Sequence, residues 1–210
     1  PGIPLPLELF GLERKNSAGI DLTDENVLRA VGETLAAPRN YNAAPLIDGA
    51  VADSGWADIV NPANHKDIVG RVSEATAADV ETALARADAF ALDWQTTPPA
   101  ERADIIARVA DLFEENRDEL MALAVREAGK SLPNAIAEIR EAVDFLRYYA
   151  AQVHGSKNIP ALGPVTCISP WNFPLAIFTG QVAAALAAGN VVLAKPAEQT
   201  PIIAHRAVEL

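Results

Sequence analysis

One cysteine, one methionine and three histidines are a thin supply of soft and redox-active ligands for 210 residues. Each scarcity closes off a class of protein. A lone thiol, Cys167, forms no internal disulfide, which points to a reducing, cytoplasmic setting. His65, His154 and His205 stand far apart with no second ligand at metal spacing, so no metal site is expected. Basic residues are the minority: 17 Lys and Arg oppose 28 Asp and Glu, a net charge of −11. That sign disfavours a nucleic-acid backbone or an anionic membrane surface as the partner. No uninterrupted apolar run approaches the roughly 18 residues a membrane span needs. Three familiar motifs are also missing. Ala128-Gly129-Lys130-Ser131 ends like a phosphate-binding loop, but the required earlier glycine is Ala124. No G-x-G-x-x-G follows a strand, and no G-x-S-x-G elbow exists.

Apolar residues make up 50% of the chain and charged ones 21%, which suits a folded globular chain rather than a disordered one. Pro1-Gly2-Ile3-Pro4 lacks a signal-peptide pattern, and Ala204 to Leu210 reads as helix without a stop, so the chain is expected to be a segment of a longer protein. Residues 1–45 read as a connector, with a short helix within Asp21–Leu35 capped by Thr23 or Asp24. Short strands are expected at 46–49, 59–62 and 68–72. Three amphipathic helices follow. Thr76 and Asp79 cap the first, whose stripe of Val80, Ala83, Leu84, Ala87, Ala91 and Trp94 predicts a buried face. Pro98-Pro99 opens the second, and Ser131 with Pro133 the third.

From Leu162 the pattern becomes strand, loop, helix, strand, loop, helix. Val165–Ile168 and Val191–Ala194 are apolar enough for strands buried on both faces, Gly189-Asn190 stops the helix between them, and Thr200-Pro201 caps the next. Such a βαβα unit predicts an α/β fold: an open parallel sheet with helices on both faces, incomplete in this segment. An incomplete sheet is expected to leave an open edge and bare apolar faces.

Ligands of open α/β sheets bind at the carboxyl ends of the strands, which here carry two loops. In the first, the Asn172 amide either donates to a developing oxyanion or merely suits an awkward turn. Trp171 and Phe173 either wall a tunnel or plug the sheet end. In the second, Lys195 and Glu198 either grip neighbouring sugar hydroxyls or form a solvated pair. Cys167, inside an apolar strand, reads as an inert structural thiol.

Ile168-Ser169-Pro170-Trp171-Asn172-Phe173-Pro174-Leu175, followed by Gly189-Asn190-Val191-Val192-Leu193-Ala194-Lys195-Pro196-Ala197-Glu198-Gln199-Thr200-Pro201, resembles the signature region of the aldehyde dehydrogenase superfamily. The likeness extends upstream through Arg126 to Lys130, Glu138 and Arg147 to Ala150, covering about residues 46–210. Ala176 to Gln181 is similar to the branch that oxidises glutamate semialdehyde; Gln181 stands where many relatives carry lysine. The leader Leu9 to Leu22 resembles the stretch joining the two enzymes of bifunctional proline-oxidising flavoenzymes.

The resemblance implies a Rossmann-like NAD-binding domain over 46–210, with Asn172 as catalytic oxyanion donor. It implies that Ser169, Pro170, Trp171, Lys195 and Glu198 contact NAD, and that Phe173 and Glu127 lie toward the aldehyde. It places the nucleophilic cysteine and general-base glutamate beyond residue 210. FAD is implied only if a proline dehydrogenase domain precedes this segment. A cytoplasmic homo-oligomer acting on a small-molecule aldehyde follows, with any membrane association left to another domain. Another subtype, such as a succinate-semialdehyde oxidiser, or a non-catalytic NAD-binding truncation, remains the alternative.

Overall fold

The computed structural model describes residues 2–37, 39–47, 50–51, 55–157 and 160–210. A 3-10 turn, Pro6–Glu8, leads into an extended stretch and then α1, Glu25–Ala36. Of the two expected caps it is Asp24 that serves, its carboxylate accepting from the amides of Asn26 and Val27. The expected connector is not loosely attached. Ser17 donates through its hydroxyl (2.7 Å) and its amide (3.0 Å) to Asp144, and the Ala18 amide donates to Glu114 at 2.8 Å. Arg147, buried, gathers the Asn16 carbonyl, Glu114 and Asp111 around one guanidinium.

Five strands follow: β1 (Tyr41–Ala43), β2 (Leu46–Ile47), β3 (Ala50–Val51), β4 (Ala57–Asn61) and β5 (Asn64–Val72). The expected turn at Asp48-Gly49 lies outside the described residues. Strand β1, not anticipated, runs parallel to β5, while β4 pairs antiparallel on its other edge. Gly70 makes this pairing possible, because a Cβ there would collide with the carbonyl of Tyr41 on β1. The pair β2–β3 forms a separate small antiparallel ribbon.

Next come α2 (Ala77–Thr96), α3 (Pro99–Glu115), α4 (Arg117–Ala128) and α5 (Leu132–Val153). The Thr76–Asp79 capping box is present on α2. Four helices stand where three were expected, because Asn116 alone separates the end of α3 from the start of α4, with no glycine or proline to mark the break. Its fully buried Leu120, Met121, Leu123 and Ala124 join the main core. Helices α3 and α5 pack on α6 (Ala176–Ala187), whose Gly180 lies so near Phe145 of α5 that an added Cβ would sit 2.9 Å from the ring.

The stripe on α2 departs from expectation: none of its residues is buried, and Val80 and Leu84 are 47% and 41% exposed. It faces an open cleft instead of a packed layer. The last unit is β6 (Val165–Ile168), α6, β7 (Val192–Lys195) and α7 (Pro201–Glu209), with β6 and β7 parallel in register from Val165–Val192 to Ile168–Lys195. This is the expected parallel α/β unit, but its two strands are not buried on both faces; Ile168 is 64% exposed. A two-stranded sheet has too few neighbours to cover them. Helix α7 packs on α4, β1 and β5, linking this unit to the first sheet.

Candidate active site

The parallel register fixes where the two chemical loops begin. Ile168 pairs with Lys195, and one residue further the Ser169 amide donates to the Lys195 carbonyl at 3.2 Å. Both chains therefore leave the sheet at the same end, side by side. Pro170 and Pro174 fix φ along the first loop, which exposes Trp171, Asn172 and Phe173 and buries Ser169 and Pro174. An exposed amide on a loop pinned at both ends can donate to a ligand without first breaking an internal bond. In the second loop the Lys195 ammonium lies 3.2 Å from Glu198 Oε1, with the side chains 52% and 70% exposed. So exposed a pair contributes little to stability and leaves both groups open to a polar ligand.

Each loop ends at a helix whose first amides point into the protein, and each helix meets a buried glutamate. Glu138 Oε1 accepts from Leu175 (3.0 Å) and Ala176 (2.8 Å) at the start of α6. Glu127 accepts from Ile202 (2.7 Å) and Ile203 (2.8 Å) at the start of α7. Thr200, the expected cap of α7, makes no side-chain capping bond, because Glu127 takes those amides. Burial pushes the Glu127 carboxyl up to about 8, against the pull of the two amides. The resemblance put Glu127 near the substrate; the structure puts it under the first turn of α7, 3% exposed with both oxygens occupied.

The large cleft, about 1260 Å³, is walled by α2, β2, the β6–β7 pair and α7, and includes Ile168, Lys195, Pro196 and Glu198. Ser169, Trp171, Asn172 and Phe173 are not among its lining, so the structure brings the two loops to one sheet end without placing Asn172 in this cleft. Cys167 is buried, and burial raises its thiol pKa, the reverse of what a nucleophile needs. We expect Cys167 to stay unmodified by iodoacetamide at neutral pH until the protein unfolds; prompt labelling of the native protein would contradict this environment. Sequence reasoning gave Glu138 no role and missed Arg102, which is 2% exposed and donates to Ala187 at 3.2 Å and Gln95 at 3.3 Å. No helix among the described residues is long and apolar enough to cross a membrane.

A parallel α/β unit with polar loops at the carboxyl ends of its strands places this chain among the α/β proteins. The model of the Aldehyde dehydrogenase family matches residues 51–210, and the chain belongs to that family. It is 54% identical to the Bifunctional protein PutA of Escherichia coli K12, over all of this chain and 16% of that protein. It is 43% identical to a 1-pyrroline-5-carboxylate dehydrogenase of Anoxybacillus flavithermus, over 72% of this chain and 32% of the relative. The structure of a Thermus 1-pyrroline-5-carboxylate dehydrogenase with bound NAD superposes with a TM-score of 0.82 at 29% identity, covering 93% of this chain and 42% of that one. The chain thus spans about a sixth of the PutA relative's length.

Proposed function

We propose that this chain supplies the oxyanion loop and the NAD-ribose loop of an NAD-dependent glutamate-semialdehyde dehydrogenase acting in proline degradation. The observation that carries the reading is the parallel β6–β7 pair, which starts the Asn172 loop and the Lys195–Glu198 loop at adjacent residues of one sheet end. The named functions of the relatives and the NAD-bound Thermus neighbour support the substrate and the cofactor. The residues present also fit a nucleotide: an exposed cation and carboxylate stand at the edge of an open cleft of about 1260 Å³.

In this proposal the Asn172 amide donates to the aldehyde oxygen as a thiolate adds to the carbonyl, holding the charge that collects there. The thiolate is not Cys167. NAD, when bound, supplies the hydride acceptor. Glu198 and Lys195 hold the ribose hydroxyls, Ser169, Pro170 and Trp171 border the cofactor, and Phe173 flanks the aldehyde. Glu127 acts from beneath α7 rather than on substrate. FAD belongs to the reading only where a proline dehydrogenase domain precedes this segment. A cytoplasmic homo-oligomer, with residues 1–45 as the connector and 46–210 as the NAD-binding part, completes it.

The direct test is NADH formation from glutamate semialdehyde by the full-length protein, with succinate semialdehyde in parallel. Faster turnover of the succinate analogue would move the assignment to another subtype, and no turnover of either would favour a non-catalytic module. A sharper expectation concerns cofactor choice. A 2′-phosphate about 4 Å from a carboxylate in near-aqueous surroundings is opposed by about 1 kcal/mol per charge pair. The Glu198 side chain is 70% exposed, so this lower figure applies. Glu198→Gln should narrow the preference for NAD over NADP by about fivefold, read as the ratio of kcat/KM values. Equal use of both cofactors by the unmodified enzyme would remove Glu198 from the ribose site.

A further inference from the structure

Two buried carboxylates serve the two loops separately, and one of them reaches the catalytic loop by a second route. Glu138 is 1% exposed, and its Oε1 holds the amides of Leu175 and Ala176, three and four residues past Asn172. Its Oε2 pairs with the Lys130 ammonium at 2.7 Å. The same ammonium lies 4.2 Å from the centre of the Phe173 ring, the residue directly after Asn172. The side chain of Lys130 is only 11% exposed, so this contact with the ring is largely shielded from water. The loop is therefore gripped at its helix end by backbone amides and at Phe173 by a cation, and both grips meet in one carboxyl group. Among the described residues nothing comparable links Glu138 to the second loop; the first amides of α7 belong to Glu127.

We infer that Glu138, through the amides of Leu175 and Ala176 and through Lys130 on the Phe173 ring, is the positioning residue that sets the Asn172 amide for catalysis. Glu127 sets the cofactor loop independently. The inference rests on the functional reading above for its catalytic part, and on geometry alone for its positional part. Physically, an N-terminal turn whose first amides are held by a fixed acceptor has its axis and the chain entering it defined. Displacing a reacting group by about 1 Å is enough to cost on the order of a hundredfold in rate.

The test uses the full-length protein with Glu138→Gln, a near-isosteric change that keeps an acceptor oxygen and removes the charge paired with Lys130, alongside Lys130→Met and Glu127→Gln. Hydrogen exchange at the Leu175 and Ala176 amides should quicken by about tenfold or more in Glu138→Gln, with Ile202 and Ile203 unchanged. Glu127→Gln should show the converse. In turnover, Glu138→Gln and Lys130→Met should lower kcat by about tenfold or more while the Kd for NAD holds. Unchanged exchange at Leu175 and Ala176, or kcat and NAD affinity falling together, would overturn the inference, since a general loss of structure moves both. Altered exchange in a protein whose unmodified form oxidises no aldehyde would uphold the positional link and defeat the functional reading instead.

Discussion

Asn172→Ala in the full-length protein is expected to lower kcat for aldehyde oxidation by about 10²–10³, which is about 3–4 kcal/mol of lost transition-state stabilisation, while NAD affinity barely moves. The size follows from what the amide does and from what cannot replace it. Charge on the aldehyde oxygen is absent in the ground state and develops as the thiolate adds, so a donor aimed there acts mainly on the barrier. The loop cannot shift to offer another donor. Its start is tied by the Ser169 amide to Lys195, its end by Leu175 and Ala176 to Glu138, and Pro170 and Pro174 fix φ between them. Asn172 itself is exposed, so shortening it to alanine opens no cavity in the core. The variant should therefore fold as the parent does, which keeps a fall in kcat interpretable. An unchanged kcat, measured where the chemical step limits turnover, would take Asn172 out of the mechanism.

The features legible in the sequence are those whose cause is local. The Thr76–Asp79 capping box spans four residues of chain, the stop after α6 is Gly189 at φ +88, and Pro99 opens α3 at the first helical turn. The strand–loop–helix alternation of the last 50 residues is equally readable, because short apolar runs and loop prolines announce it. What was not legible depends on partners distant in sequence. Glu127 and Glu138 look like ordinary charged positions of amphipathic helices, and the amides they hold lie 75 and 37 residues further on. The α2 stripe fails for the opposite reason: its period correctly announces an apolar face, but period carries no information about whether another layer lies against it. Helix α4 was hidden because a one-residue break at Asn116 leaves no signal stronger than the helical pattern on either side.

Arg102 belongs with the unread positions and carries the largest stability effect we expect. Its guanidinium, 2% exposed, donates to the carbonyls of Ala187 and Gln95 and, more closely, of Thr97. Those carbonyls end α6, end α2 and lie in the turn before α3, so one planar cation satisfies the C-terminal acceptors of two helices where they converge. Gly189, in the left-handed region just past α6, lets the chain pass over it; a Cβ there would sit 3.3 Å from the guanidinium carbon. Arg102→Ala would leave acceptors unpaired and a void beneath Gly189. The Ala187 carbonyl is buried and those of Gln95 and Thr97 only partly so. A buried acceptor left unpaired costs about 1–3 kcal/mol and one that water can reach costs less, so a loss of about 2–3 kcal/mol is expected. Urea unfolding followed by circular dichroism should show it as a lower midpoint at unchanged m. Arg102→Lys should recover only part, since a single ammonium cannot span three carbonyls from one position. The void and the unpaired acceptors both predict loss for alanine, but only the fork geometry predicts failure of lysine, so full rescue by lysine would show that charge and volume, not bond directions, hold this corner.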